Sequence, residues 1–399
     1  MKFFTRTGLT HPQLIIIFLL KVMAGILYGW IGIYYGNLAQ MVDTWSFHYS
    51  SLQEYRLLHT DPYSYFTNLF HDPYPNGYLK FLSSDNSYWN DLKANAFVKL
   101  LSVFNIFSFG FYYVNIIFYS FLSLYGPVAV YRVMIAEFPE RKIPVLAATF
   151  LLPSFIYWTS GIHKDGLIFT GIALVVYHLY FGLQEKSFTP KRLAAIFLGL
   201  LIVVILRNFL LVILIPAIIA WILAKRFQNR GLLVFVLVYV VFSLFFFTAK
   251  YISPRLDFPD AVASKQADFK ELKGGSEVPT SRLQPNFLSF LKNAPEAITL
   301  SAIRPYPSDV KHLLSLAAAL EINLLTLLFI VFLFWRNKAP VDRPFLYFCL
   351  FFSFSVLLSI GYTVNFLGAI VRYRSLVFPF LFAPMFALFN WKKIEKMVS

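Results

Sequence analysis

The sequence predicts an all-α, polytopic integral membrane protein of about ten transmembrane helices, which form a single transmembrane domain over residues 1–399. Hydrophobic residues make up 58% of the chain and charged residues only 14%, whereas about 25% of an ordinary soluble domain is charged. Apolar runs long enough to cross about 30 Å of hydrocarbon recur along the sequence. Lys and Arg gather beside these runs, as retention on the cytoplasmic side requires. The formal net charge of +15 therefore gives no reason to expect a nucleic-acid partner.

The predicted spans are long stretches with few or no charged residues. They lie at roughly 14–36, 105–131, 143–160, 166–183, 193–206, 209–224, 231–250, 314–335, 345–361 and 375–390. Only Arg207 and Asn208 separate the fifth run from the sixth. That stretch is either one long helix or a hairpin of two short helices.

The distribution of Lys and Arg favours the hairpin. With it, six short segments on the predicted cytoplasmic side, including both termini, hold seventeen Lys and Arg, and the short outer connections hold four. A single helix would instead place Lys225, Arg226 and Arg230 outside, against the cytoplasmic enrichment of basic residues. We therefore expect both termini in the cytoplasm.

Two segments on the predicted outer side are long. They are a first extracytoplasmic loop over residues 37–104 and a second over 251–313, and they carry most of the Pro, Asp and Glu. Neither is long enough for a domain of ordinary size, so short surface helices and irregular chain are expected. The polar, Gly-containing stretch 265–286 predicts a mobile segment or lid. Dinucleotide, Walker and Cys/His metal motifs are absent from the sequence.

Asp43 and His48 follow the first span on the predicted outer side. A carboxylate there can act as a general base, and the neighbouring Trp45, Phe47 and Tyr49 would raise its pKa by excluding water. The alternative is an acid that caps a surface helix, since Asp followed by Thr and Ser is common cap chemistry.

Three polar residues share one short outer turn between two spans. Pro153 and Gly161 bracket a tight outer turn, and His163, Lys164 and Asp165 follow it, between the two helices. Lys164 and the helix N-terminus at Asp165 could together receive a phosphate. The alternative is a Lys-Asp pair that satisfies the helix end.

Arginines recur at the predicted outer ends of the later spans. Arg207 lies at the tip of the hairpin, where it needs a partner such as a lipid phosphate or Glu321 of the eighth span. Arg304, Arg372 and Arg374 can chelate phosphate oxygens, while the adjacent tyrosines could stack on a sugar. Anchoring in lipid headgroups is the alternative for each arginine taken singly. Because Lys164, Arg207, Arg372 and Arg374 all violate the charge bias, we expect these four to converge on one outward-facing cavity.

The order of these features resembles that of the GT-C class of polytopic glycosyltransferases: a first helix, an acidic outer loop, short paired helices and arginines near late outer helix ends. The resemblance spans most of the chain. It implies a catalytic base in the first outer loop, and the matching position here is Asp43. Asp165 is the alternative candidate for the catalytic residue. Many members carry two adjacent carboxylates, whereas this chain has Asp43 followed by Thr44. Use of a divalent cation therefore stays open, and no other cofactor is expected.

Three segments are also similar to uncharacterised bacterial membrane proteins from surface-polysaccharide loci and to O-antigen-polymerase-like enzymes. They are LLPSFIYWTSGIHKDG, RPYPSDVKHLLSLAAALE and NFLGAIVRYR. This similarity implies a multi-pass protein of the bacterial inner membrane that works in cell-surface glycan assembly.

The expected function is transfer of a sugar from an isoprenoid-phosphate-linked donor to a glycan or lipid acceptor on the extracytoplasmic face, among membrane lipids. Asp43 would take the acceptor proton, and outer cations would stabilise the departing phosphate. The candidate substrate-binding residues are His48, His163, Lys164, Arg207, Arg304, Glu321, Arg372 and Arg374. The alternatives are a polymerase with two lipid-pyrophosphate sites, and a lipid-linked glycan transporter, which would line a path through the bilayer with charges.

Overall fold

A computed structural model describes residues 2–5, 7–35, 42–70, 88–337, 340–391 and 393. Within these residues the regular structure is helical, with two isolated bridges between extended segments. Seven of the described helices are long and apolar enough to cross a membrane, or up to nine spans occur there if each of two bent helix pairs is one span. The chain is thus a helical protein with the spans of a polytopic membrane protein, as its composition predicts.

The described helices are numbered α1 to α18 in chain order. Their bounds are α1 Lys2–Thr5, α2 His11–Tyr34, α3 Val42–Thr60, α4 Pro62–Thr67, α5 Tyr88–Ser108, α6 Tyr112–Glu137, α7 Lys142–Phe150, α8 Pro153–Ser160, α9 Lys164–Gln184, α10 Pro190–Arg207, α11 Phe209–Arg226, α12 Gly231–Thr248, α13 Phe258–Glu271, α14 Phe287–Ala302, α15 Leu313–Phe334, α16 Arg343–Thr363, α17 Leu367–Ser375 and α18 Phe378–Leu388. The bent pairs are α7 with α8, at 48°, and α17 with α18, at 63°.

Helix α9 lies in the interior of the bundle. It is the most buried of the seven candidate spans, and it packs between α6 and α10. A Cβ atom added at Gly199 of α10 would lie 2.6 Å from the carbonyl oxygen of Gly171 in α9. Because glycine at both positions lets the two backbones touch, α10 follows α9 closely along the bundle.

Helices α10 and α11 form the predicted hairpin. Arg207, at the end of α10, binds Asp165 at the start of α9. The chain then turns back, because Trp221 of α11 packs near Tyr180 at the far end of α9, and Lys225 binds Asp342 there. The alternative of one continuous helix over the fifth and sixth apolar runs is therefore wrong. Helix α10 is not among the nine apolar candidates, so the count of ten crossings stays a prediction.

The end of the bundle opposite Asp165 has its own ionic contacts. The Tyr180 hydroxyl donates to Glu137 Oε2 at 2.9 Å, and the backbone N–H of Asp342 donates to the same carboxylate. Lys225 Nζ lies 2.5 Å from Asp342 Oδ2. These contacts tie α6, α9, α11 and α16 together at the end that the basic residues predict to be cytoplasmic.

The two long predicted loops contain helices of their own. In the first, α3 is a helix of 19 residues that packs against α2 and α5, and α4 is a short helix of six, while residues 71–87 lie outside the described part. The span expected at 105–131 begins instead at Tyr112, because the chain turns at Gly110, where φ is +79°. Glycine adopts that conformation without steric penalty.

The second loop is tied to the helix that carries the late arginines. The Val278 N–H donates to the Asn365 carbonyl at 2.8 Å, and the Leu367 N–H donates to the Ser276 carbonyl at 2.9 Å. The Gln266 side chain contacts the backbone of Leu283 as well. The stretch predicted to be a mobile lid is thus hydrogen-bonded to the bundle at several points.

Candidate functional site

Five of the predicted residues meet at one end of the bundle. They are Asp43, His163, Asp165, Arg207 and Arg372, called here the Asp165 cluster. They come from the first turn of α3, the connection before α9, the first turn of α9, the last turn of α10 and the second half of α17. Convergence of residues so far apart in sequence is what the sequence predicts for Arg207 and Arg372.

Asp165 is the fully buried centre of the cluster. Its Oδ1 lies 2.8 Å from Arg207 Nη2, and its Oδ2 accepts from Arg372 Nε at 2.6 Å. A buried carboxylate is tolerated when cations and hydrogen-bond donors compensate it. Asp165 therefore holds two guanidinium groups from different helices in one place.

His163 links Asp165 to the outer part of the cluster. Its Nδ1 lies 3.0 Å from Asp165 Oδ2, and its Nε2 lies 2.6 Å from Arg372 Nη2. Arg372 Nη2 also lies 2.9 Å from His163 Nδ1, so the guanidinium group packs against both ring nitrogens. The Tyr119 hydroxyl donates to the His163 carbonyl and secures the backbone of the turn.

Asp43 lies at the mouth of the cluster, with 59% of its side chain exposed. Its Oδ2 is 3.6 Å from both His163 Nε2 and Arg372 Nη1. Contact with the His163 ring, aided by the charges of Arg372 and Lys164, holds the pKa of the Asp43 carboxyl below its usual range despite partial burial. The predicted increase of this pKa by aromatic neighbours is therefore wrong, because the contacts with His163 and Arg372 outweigh the effect of burial.

Aromatic rings line the cations. The Arg207 guanidinium lies 4.4 Å from the centre of the Tyr373 ring, and that of Arg372 lies 5.7 Å from the Trp158 ring. Lys164 Nζ lies 4.7 Å from the Phe47 ring. Rings in these positions add cation–π attraction and exclude water. Trp158 is not among the site residues predicted from sequence, although it lies five residues before His163.

The cluster together with Lys164 carries a net positive charge. Two aspartates oppose three basic side chains, Arg207, Arg372 and Lys164. One positive charge is left over beside the exposed Asp43. This arrangement can bind an anion next to a base.

His48 lies apart from the Asp165 cluster in an aromatic contact. Its ring centre is 5.2 Å from that of Tyr112 and 5.8 Å from that of Trp45. Burial lowers the pKa of His48 to about 4. The ring therefore packs as a neutral group, and its predicted contact with substrate has no support in this geometry.

Arg374 does not converge with Arg372, contrary to expectation. It is fully buried, and its Nη1 donates to the carbonyls of Ser301, at 3.1 Å, and of Arg304. Residues two apart on a helix point to opposite sides, so α17 turns Arg374 toward α14 when Arg372 faces Asp165. The Arg304 side chain binds Asp309 through two contacts, at 2.6 and 3.0 Å.

Glu321 is not the partner of Arg207. It accepts from the backbone N–H of Ser154 at the start of α8, at 3.0 Å, and is 8% exposed. Arg207 is occupied by Asp165 instead. No group of three or more His, Cys, Asp or Glu that could hold a metal ion occurs among the residues described.

Comparison of this chain with protein-family models, curated proteins and solved structures finds no match. The resemblance to GT-C glycosyltransferases therefore stays a prediction.

Proposed function

We propose that the chain is a GT-C-like membrane glycosyltransferase, which moves a sugar from an isoprenoid-phosphate-linked donor to a glycan or lipid acceptor. The observation that carries this proposal is the exposed Asp43 carboxylate, 3.6 Å from both His163 and Arg372 at the mouth of a cluster with excess positive charge. The reaction takes place on the extracytoplasmic face of a bacterial inner membrane, with both termini in the cytoplasm.

In the proposed reaction, Asp43 accepts the proton of the acceptor hydroxyl as that oxygen bonds to the anomeric carbon. The bond between the anomeric carbon and the phosphate oxygen breaks, and its electrons leave with the isoprenoid phosphate. Arg372, Arg207 and Lys164 stabilise the negative charge that develops on the phosphate. Asp43 can take the base role because its carboxylate is ionised at neutral pH and its exposure lets an acceptor reach it. Its lowered pKa makes it a weaker base than an ordinary aspartate.

His163 and Asp165 orient the cations. Asp165 is fully buried and already binds two arginines, so no acceptor hydroxyl reaches it in this arrangement. This burial supports Asp43 over Asp165 as the base. The guanidinium groups keep further N–H donors for phosphate oxygens, since each carries five.

The single cluster also favours a transferase over a polymerase. A polymerase that joins two lipid-linked units needs two lipid-pyrophosphate sites. Of the other two arginines predicted to bind phosphate, Arg304 is bound to Asp309, and Arg374 is directed away from Arg372 toward backbone carbonyls, so neither lies beside the first anion site.

Binding of farnesyl phosphate, a short isoprenyl monophosphate, tests the anion site in purified protein. Arg372→Gln should weaken binding by at least about tenfold, because a charged hydrogen bond contributes roughly 1.5–3 kcal/mol. Asp43→Asn should bind as well as wild type or better, since it removes a negative charge. Arg304→Gln is the matched control and should bind like wild type. Equal losses in Arg304→Gln and Arg372→Gln would contradict the proposed site.

Turnover tests the base. With a panel of isoprenyl-phosphate sugars, Asp43→Asn should lower transfer by about 10²–10⁴-fold, the usual effect of losing a general base. Transfer at the wild-type rate by Asp43→Asn, together with loss of transfer in Asp165→Asn that is correctly folded, would move the base to Asp165.

A further inference from the structure

Helix α8 is short and has no capping side chain of its own. It comprises eight residues, Pro153–Ser160, between the N-cap Leu152 and the C-cap Gly161, and Leu152 makes no side-chain capping hydrogen bond. An isolated helix of this length is unstable, and its end groups need partners. Those partners come from two other helices.

At its N-terminus, α8 is capped by a buried carboxylate of α15. Glu321 Oε1 accepts from the Ser154 N–H at 3.0 Å, and the Glu321 side chain is 8% exposed. Within the described residues no basic nitrogen lies within 4.0 Å of this carboxylate. Its direct contact is therefore with the helix end.

At its C-terminus, α8 is capped by a buried ammonium group of α2. Lys21 Nζ donates to the Thr159 carbonyl at 2.7 Å, to Thr159 Oγ1 at 3.3 Å and to Ser160 Oγ at 3.2 Å. The side chain is 3% exposed, and among the described residues it has no carboxylate within 4.0 Å. An unpaired charge inside a membrane protein is rare and usually functional.

The signs of both charges match the helix dipole. An anion is stabilised at a helix N-terminus and a cation at a C-terminus, and here α8 has one of each, supplied by different helices. Helix α8 carries Trp158, which faces Arg372. The chain then reaches His163 three residues after the helix ends.

We propose that Lys21 and Glu321 are positioning residues that hold α8 from both ends, and so set the position of Trp158 and His163 in the Asp165 cluster. The turn after α8 is closely packed on both sides. A Cβ atom added at Gly161 would lie 2.2 Å from the Tyr28 ring, and one at Gly166 would lie 2.5 Å from the Thr159 carbonyl. A shift of the α8 end therefore reaches His163. The effect on ligand binding rests on the proposed function, whereas the effect on α8 does not.

Two measurements on Lys21→Met test this proposal, with Lys142→Met as the matched control. Lys142 also donates to a backbone carbonyl, that of Gly8 at 2.6 Å, but is only partly buried and lies in α7. Lys21→Met removes the charge while keeping the length of the side chain. Amide hydrogen exchange over residues 154–166 should become about tenfold faster, because a buried charge-assisted hydrogen bond is lost. Exchange in α16 should not change.

Farnesyl phosphate binding by Lys21→Met should weaken by about tenfold to a hundredfold, the range that misplacing a contacting group produces. Lys21→Arg retains the cation at the helix end and should restore both readouts. Glu321→Leu should loosen the same segment from its other end.

Unchanged exchange over 154–166 in Lys21→Met would overturn the proposal, whether or not the wild type binds the ligand. Suppose that Lys21→Met exchanges faster but binds farnesyl phosphate like the wild type, whereas Arg372→Gln loses binding. That result would overturn the positioning role of Lys21 and leave only a structural one. If the wild-type protein does not bind farnesyl phosphate at all, the proposed phosphate site fails, and the exchange measurement still decides whether Lys21 holds α8.

Discussion

Replacing Asp165 by asparagine should destabilise the protein far more than the same change at Asp43. Asp165 is fully buried and contacts Arg207 at 2.8 Å, Arg372 at 2.6 Å and His163 at 3.0 Å. Asparagine keeps the shape of the side chain but removes the negative charge. Two guanidinium groups, with side chains only 11% and 16% exposed, would then have only the exposed Asp43 carboxylate, 3.6 Å from Arg372, as an anion of the cluster.

The magnitude follows from this geometry. Removing one partner of a buried ion pair costs roughly 3–5 kcal/mol, because the other charge stays buried and unpaired. Water reaches both arginines in part, so we expect the lower end of that range, about 3 kcal/mol. Asp43 is more than half exposed and its ionic contacts are 3.6 Å long. Its replacement should change the free energy of unfolding by less than about 1 kcal/mol.

Unfolding of both variants in one detergent, followed by circular dichroism during denaturant titration, measures the difference. The double variant Asp165→Asn/Arg207→Gln should recover part of the loss, because it removes one uncompensated cation. Equal stability of Asp165→Asn and Asp43→Asn would refute this account of the buried cluster. So would a double variant that is less stable than Asp165→Asn alone.

Two further predictions concern charge and orientation. The folded-state pKa of Asp43 is lowered, so ionised Asp43 favours the folded state above the usual aspartate pKa of about 3.9, and this contribution is lost as the pH falls through the folded value. The carboxyl carbon resonance of Asp43 in labelled protein should therefore titrate with a midpoint below about pH 3.9. His163→Asn should raise this titration midpoint. A wild-type midpoint above the usual aspartate pKa would contradict the contacts of Asp43. A thiol at Lys225, in a Cys349→Ala background, should react with an impermeant reagent only from the cytoplasmic side, whereas a thiol at Asp43 should react from outside. Labelling of Lys225→Cys from outside would reverse the predicted orientation.

Several features of the site were predictable from sequence because they depend on single residues in an unusual place. Lys164, Arg207 and Arg372 lie in short outer connections, where basic residues are scarce. Because these positions run against the cytoplasmic enrichment of Lys and Arg, the sequence alone indicates that the three residues have a special role. The hairpin at Asn208 followed from the same argument, and the contacts at both of its ends confirm it.

The partners of those residues were not predictable, because they depend on which side each helix presents. Arg374 is only two residues from Arg372, yet the helical turn of α17 directs it to the Ser301 carbonyl instead of Asp165. Asp165 was expected beside Lys164 at a helix end, but burial between Arg207 and Arg372 makes it the centre of the cluster.

The sequence by itself determined that the chain lies in a lipid bilayer. A chain that is 58% hydrophobic and 14% charged can cover its apolar helices only with lipid or with its other helices. It also determined which short connections carry unexpected charge. Only the tertiary structure decided that α8 lies between Lys21 and Glu321, and that Asp43 stays exposed when Asp165 is buried. The physical reason is that hydropathy depends on the composition of one segment, whereas an ion pair or a cap depends on the angle at which two distant segments pack.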